Sequence, residues 1–257
     1  MLRKQDEPDM RLLMINPNTS ADITALVVAA ARRVARPDTV VLGATGSFGA
    51  RYISTRAAAA IAAHAALDAY ARHAAEADVV ALACFGDPGL NGLKELAEQP
   101  VVGMAEAACL EAAQNGRRFA IVTGGERWKP MLEEFVASMG LSGQLAVVKT
   151  VAPSGGEIAR NPMAAHVLLV DAATACVREH GADVVILGGA GLAGLADVLA
   201  PRLTCPLIDS VTATVRAAER LGDVRPVKAD TGPDAATTPV PTIGLAEPLA
   251  ARMEGRA

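Results

Sequence analysis

The chain has 257 residues, of which 51% are hydrophobic and 20% charged, with a formal net charge of −4. This is enough apolar sequence for one large core or two modest ones, and it excludes the basic field that nucleic acid or an anionic lipid surface would need. Residues 1–9 are charged rather than signal-like and no apolar run reaches bilayer length, so a soluble cytoplasmic protein with neither membrane nor nucleic-acid partners is expected.

In chain order, strand and helix signals alternate. Arg11 to Ile15 reads as a buried strand ending in Asn16-Pro-Asn-Thr-Ser20, where Thr19 or Ser20 is placed to cap a helix from Ala21 to about Val34. Thr39 to Leu42 reads as a second strand. After the loop Gly43 to Gly49 comes an alanine-rich helix from about Thr55 to Ala77, and then the strand Val79 to Ala83. A helix from Leu90 leads to the strand-like Val101 to Gly103, a helix from Ala107 to Gln114, and the strand Arg118 to Val122 ending at Thr123-Gly124-Gly125. Another βα pass covers Met131 to Met139 and Leu145 to Val151. The proline- and threonine-rich tail from Val227 reads as an extended loop, with a closing helix over Ile243 to Arg252 and a frayed end from Met253. Strands alternating with helices of 10–20 residues predict an α/β fold with parallel sheets.

The most informative stretch is Asp78 to Asn91. A β-type run ends at Cys84, and Phe85-Gly86-Asp87-Pro88-Gly89 then forces a turn before the next helix. Most free cysteines are small buried hydrophobes, but one delivered to the carboxyl edge of a parallel sheet lies where ligands bind. The four cysteines, Cys84, Cys109, Cys176 and Cys205, show no CxxC pair and no clustered histidine, so neither a disulfide framework nor a metal site is expected.

The chain also repeats itself. Asp78-Val-Val-Ala-Leu-Ala-Cys84-Phe-Gly matches Asp183-Val-Val-Ile-Leu-Gly-Gly189-Ala-Gly, and Pro100-Val-Val-Gly matches Pro206-Leu-Ile-Asp. Asn16 and Cys84 are 68 residues apart, and Thr123 and Gly189 are 66 apart. Two similar Rossmann-like halves related by a pseudo-twofold axis follow: residues 11–115 and 116–220, with a C-terminal extension over 221–257 and with segments open to exchange between the halves. Their strand ends then face one another across a shared cleft, placing positions 84 and 189 on opposite sides of a ligand.

The motifs Ile-Asn16-Pro-Asn-Thr-Ser, Ala-Cys84-Phe-Gly-Asp-Pro-Gly and Leu-Gly188-Gly-Ala-Gly-Leu resemble those of the aspartate/glutamate racemase superfamily, and within it the hydantoin racemase branch, over about residues 11–220. The resemblance implies a cofactor-independent enzyme, in which two cysteines face each other over the α-carbon of a small molecule and invert it by proton transfer, and it implies a homo-oligomer. Donors for the enolate-like oxygen would come from the backbone of Phe85, Gly86, Gly124 and Gly125, the Asn16 amide and the Thr123 hydroxyl. Phe48 and Phe85 would wall the apolar side of the substrate.

The sequence departs from that pattern where it matters. The second cysteine is expected in the late Leu-Gly-Cys-Ala-Gly motif, and this chain has Gly189, which neither donates nor accepts a proton and is expected to widen the cleft. Three readings stay open. One is a racemase acting on a hydantoin-like cyclic amide or an α-substituted acid, with another group standing in for the missing thiol. The second is a one-cysteine lyase or hydrolase, acting by decarboxylation or by attack on a thiohydantoin-like ring, although the superfamily's decarboxylases keep the late cysteine and lack the early one. The third is a small-ligand binding protein without catalysis. Arg51 and Arg127 lie close enough to the loops to meet a carboxylate, with ordinary solvated side chains as the equal alternative. The glycine-rich turn at Gly188 fits no phosphate loop.

Overall fold

A computed structural model describes residues 10–152, 154–226, 228, 235 and 238–256. Among the described residues, eight short runs form strands: β1 Met10–Asn16, β2 Thr39–Thr45, β3 Val79–Leu82, β4 Val101–Gly103, β5 Phe119–Gly124, β6 Leu145–Val151, β7 Val184–Leu187 and β8 Leu207–Asp209. They pair in parallel as two four-stranded sheets, β2-β1-β3-β4 and β6-β5-β7-β8. The inner strands β3 and β7 are buried throughout. Parallel strands covered on both faces read as continuous apolar runs, which is why Val79 to Leu82 and Val184 to Leu187 show no alternation.

The helices are α1 Ala21–Val34, α2 Arg56–His73, α3 Leu90–Leu96, α4 Met104–Ala112, α5 Trp128–Ser138, α6 Gly155–Arg160, α7 Pro162–His180, α8 Leu195–Leu199, α9 Ser210–Val224 and α10 Glu247–Met253. Ser20 holds the N-cap position of α1, yet its side chain makes no capping bond; Asn18 Oδ1 accepts from Ser20 N instead. Thr55 caps α2, Asn161 caps α7 ahead of Pro162, and Gly181 closes α7 in the left-handed conformation. The closing helix is shorter than expected, with Pro248 in its first turn and Ile243 fully exposed outside it. Within the last residues, Arg256 N–H donates to Ala251 O at 2.7 Å. Residues 227, 229–234 and 236–237 of the expected tail loop lie outside the described residues.

The internal repeat extends to individual hydrogen bonds. Arg11 N donates to Asp78 Oδ2 at 2.7 Å and Arg118 N to Asp183 Oδ2 at 2.8 Å. Val80 N donates to Pro100 O and Val185 N to Pro206 O, at 2.9 and 3.1 Å. The matched aspartates and prolines are therefore the residues that hold β1 to β3, β5 to β7, and each inner strand to its outer neighbour. The halves also exchange their last helices. α4, which follows β4, packs on β7 and β8, whereas α9, which follows β8, packs on α1, β1, β3 and β4. The two exchanged helices pack on each other.

Candidate active site

In each sheet the strand order reverses between the first strand and the third, and the carboxyl end of such a switch point opens a crevice. Asn16 ends β1 and Cys84 follows β3 by two residues; Thr123 lies in β5 and Gly189 follows β7 by two residues. The fold therefore brings Cys84, Thr123 and Gly189 to the wall of one cavity of about 40 Å³. Ile23, Tyr52, Ile53 and Phe85 close it from the first half, and Trp128 and Leu192 from the second. A space of that size holds about one water, so little room is left beside the thiol.

Cys84 is 8% exposed, and burial, assisted by the charge of Asp87, pushes its thiol up to about 12. At rest it is a protonated acid. Asp87 is itself buried and pushed up to about 7, against the pull of the N–H groups of Glu106 and Ala105, which donate to its two oxygens. The carboxylate thus caps the first turn of α4 from the Cys84 loop, and Gly103 makes room for it, because a β-carbon there would overlap Asp87 Oδ2. In the second half the roles are reversed. Asp209 occupies the strand-end position matching Gly103, caps α9 through Val211 N and Thr212 N, and accepts from Gly194 N at 2.7 Å on the Gly189 loop. Both strand-end loops are thus tied to the helix that crosses to the other half. Gly103→Ala is expected to destabilise the protein by about 1–3 kcal/mol, the usual cost of overpacking, because Asp87 cannot retreat without losing its donors. Urea unfolding of the variant checks this, and an unchanged midpoint would refute the tie.

The remaining expected residues divide. Asn16 is 1% exposed and its Nδ2 is committed to Asn18 Oδ1, Ser20 O and Thr24 Oγ1, so it supports the loop and does not line the cavity. Asn18, which sequence reasoning passed over, does line it. Its Oδ1 accepts from both Asn16 Nδ2 and Ser20 N, which fixes the amide orientation and leaves its Nδ2 donors without a partner among the described residues. Thr123 lines the cavity too, and its hydroxyl makes no hydrogen bond among the described residues. The Asn-Pro-Asn spacing carried the signal: the first amide braces the turn and the second is presented by it.

Phe85 packs against Gly188, where a β-carbon would overlap its ring. Gly86, at φ +109°, lies under Trp128, whose Cζ3 would be 2.6 Å from a β-carbon. Gly124 sits within β5, and the Gly125 amide is spent on Val151 O at 3.0 Å; neither faces the cavity. Phe48 stands away from it, in an edge contact with His64 at 4.8 Å between ring centroids.

Gly189 has φ +138°, and its N–H points to Ser210 Oγ at 3.4 Å. It does not widen the cleft. A β-carbon at this position would lie 3.2 Å from Leu192 Cδ1 and 3.7 Å from Thr123 Oγ1, so the space on this side is taken by the leucine. No other cysteine compensates. Cys109 and Cys176 are buried within α4 and α7, Cys205 precedes β8, and none lines the cavity. No cluster of three potential metal ligands occurs among the described residues.

A double parallel α/β fold with a thiol on a switch-point loop, facing the corresponding loop of a second half, is the architecture of superfamily racemases. The sequence matches the family described as Asp/Glu/Hydantoin racemase over residues 12–218, and the chain belongs to that family. It is 38% identical to a hydantoin racemase of Paenarthrobacter aurescens over 216 residues, covering 82% of this chain and 91% of the other. It is 32% identical to a hydantoin racemase of Pseudomonas sp. (strain NS671), covering 84% and 87%. Among solved structures, the allantoin racemase of Pseudomonas fluorescens superposes with a TM-score of 0.87 at 34% identity, over 91% of this chain and all of that one. Arylmalonate decarboxylase, at 19% identity and a TM-score of 0.60, shares the fold. The chain is accordingly an enzyme of the racemase superfamily, and no described helix is long and apolar enough to cross a membrane.

Proposed function

We propose that this enzyme labilises the proton on the α-carbon of a hydantoin-like ring, without a cofactor, using Cys84 as its single thiol acid and base. The observation that carries the reading is the composition of the cavity wall: Cys84 is its one thiol, with Tyr52 as the other titratable side chain, set with donors of Asn18 and Thr123 that have no partner among the described residues. The thiolate takes the proton from the ring carbon, and the electron pair of the broken C–H bond moves onto the neighbouring carbonyl as an enolate. Asn18 Nδ2 and the Thr123 hydroxyl are the available donors for that oxygen, in place of the Asn16 amide and the Gly125 N–H, which are occupied. A thiolate whose conjugate acid lies near 12 is scarce at neutral pH but strongly basic. Names of relatives such as hydantoin racemase and allantoin racemase support a hydantoin ring as the substrate core.

On the opposite face stand Gly189, Ala190, Gly191 and Leu192, none of which transfers a proton. A proton returned by Cys84, after its S–H has exchanged with solvent, restores the starting configuration, whereas on the opposite face the enolate is reprotonated only by water, and the hydroxide so formed recovers the proton from Cys84. Loss of positioned acid–base assistance on one face costs roughly 10²–10⁴-fold. In D₂O, proton NMR of a single hydantoin enantiomer is therefore expected to show α-proton exchange well ahead of loss of optical rotation. Rotation falling in step with the exchange would defeat the one-thiol mechanism; a new product would move the enzyme to the lyases or hydrolases.

A further inference from the structure

Next to this small cavity lies a larger one of about 500 Å³, within the range of small-molecule sites. Ile23 and Tyr52 belong to the walls of both. The larger space opens between the halves: the first turn of α1 and the loop bearing Arg51 form one side, and α6 forms the other. α6 is seated directly on the Tyr52 ring, where a β-carbon on Gly156 would lie 3.2 Å from Cδ2. This contact brings Arg160, at the end of α6, to the same cavity as Arg51, from the opposite side.

Arg51 and Arg160 both line this space, with Asp22 as the single carboxylate among the lining residues. Arg51 makes no ion pair or side-chain hydrogen bond among the described residues, whereas Arg11, Arg36, Arg56 and Arg72 are all paired. The carboxylate nearest Arg160 in sequence, Glu157, feels its charge but takes its hydrogen bonds from the backbone and hydroxyl of Ser154 in the cap of α6. Two arginines are thus held at the mouth of the site with hydrogen-bonding capacity to spare.

We propose that this vestibule holds the substituent on the substrate's α-carbon, and that Arg51 and Arg160 select substituents ending in a carboxylate. The inference rests on the hydantoin reading above. A ring whose α-carbon meets Cys84 fills the inner cavity once that opens, and its substituent passes Ile23 and Tyr52 into the vestibule. A guanidinium fork there binds a carboxylate through paired N–H bonds that a neutral amide of the same shape cannot match.

The test compares kcat/KM for α-proton exchange of 5-(2-carboxyethyl)hydantoin with that of its neutral analogue, 5-(2-carbamoylethyl)hydantoin. The wild-type enzyme is expected to favour the carboxylate by about tenfold or more, since charge-assisted bonds exceed neutral ones by that order. In the double variant Arg51→Ala, Arg160→Ala the ratio is expected to collapse towards one. Both side chains are exposed, so the variant keeps its fold. Turnover of both compounds with a wild-type ratio at or below one, or a ratio unchanged in the double variant, would overturn the vestibule assignment alone. Exchange of neither compound would overturn the functional reading and this inference with it.

Discussion

Replacement of Cys84 by alanine is expected to reduce α-proton exchange by at least ~10²–10⁴-fold, the contribution of a positioned acid–base group. The variant loses one buried sulfur atom and no hydrogen bond on which the loop depends. The turn itself is held by Asp87 N donating to Cys84 O at 2.9 Å and by the Asp87 cap of α4, both of which survive the change. A folded variant, judged by an unaltered circular dichroism spectrum, therefore isolates the chemistry from the scaffold. Retention of most of the exchange rate would eliminate Cys84 as the proton carrier.

The reciprocal change, Gly189→Cys, is expected to convert exchange into true inversion, raising the rate of optical rotation loss by roughly 10²-fold or more. Positions 84 and 189 line the same cavity from opposite halves, so a thiol added at 189 supplies the proton donor that this face lacks. The gain comes with a penalty in stability. A side chain at φ +138° is strained by about 1–3 kcal/mol, and the new sulfur must displace Leu192, whose Cδ1 lies 3.2 Å from the added β-carbon. For a chain of this size the strain lowers Tm by roughly 2–10 °C. Polarimetry alongside thermal unfolding checks both halves of the expectation. A folded Gly189→Cys enzyme with no faster inversion would show that position 189 does not address the reacting carbon.

The fold was legible because its signals are local or repeated. Buried parallel strands announce themselves as short apolar runs, and the paired Asp78/Asp183 and Pro100/Pro206 mark equivalent hydrogen bonds in both halves. Cys84 could be picked out as well, because a strand-to-turn transition is visible in one dimension. The donors were harder. Which of two nearby asparagines braces the loop and which is presented depends on Thr24 and Ser20 as partners, and spacing alone does not carry that information. Leu192 was missed for a related reason. A glycine in the sequence suggests empty space, but the volume it releases is taken by a side chain three residues on, folded back by the Leu192 N to Gly189 O hydrogen bond at 2.9 Å. The vestibule depends on α6 and the Arg51 loop, which lie about a hundred residues apart in the chain and meet only in three dimensions.

The exchange of α4 and α9 has a consequence for how the protein is made. As the chain leaves the ribosome, β1 to β4 are complete by residue 103, yet the helix that packs on β1, β3 and β4 is not synthesised until residues 210–224. α1 covers part of the same face from the start, but the β3 and β4 side of the earliest sheet must wait for almost the entire chain to emerge. Contacts of such long sequence separation slow folding, because loop closure has to precede the burial that rewards it. Once formed, they tie the two sheets together, although part of the core, built from residues 120–207, lies wholly within the second half. Movement of one half against the other would have to part α4 from α9 and each of them from the sheet it crosses to.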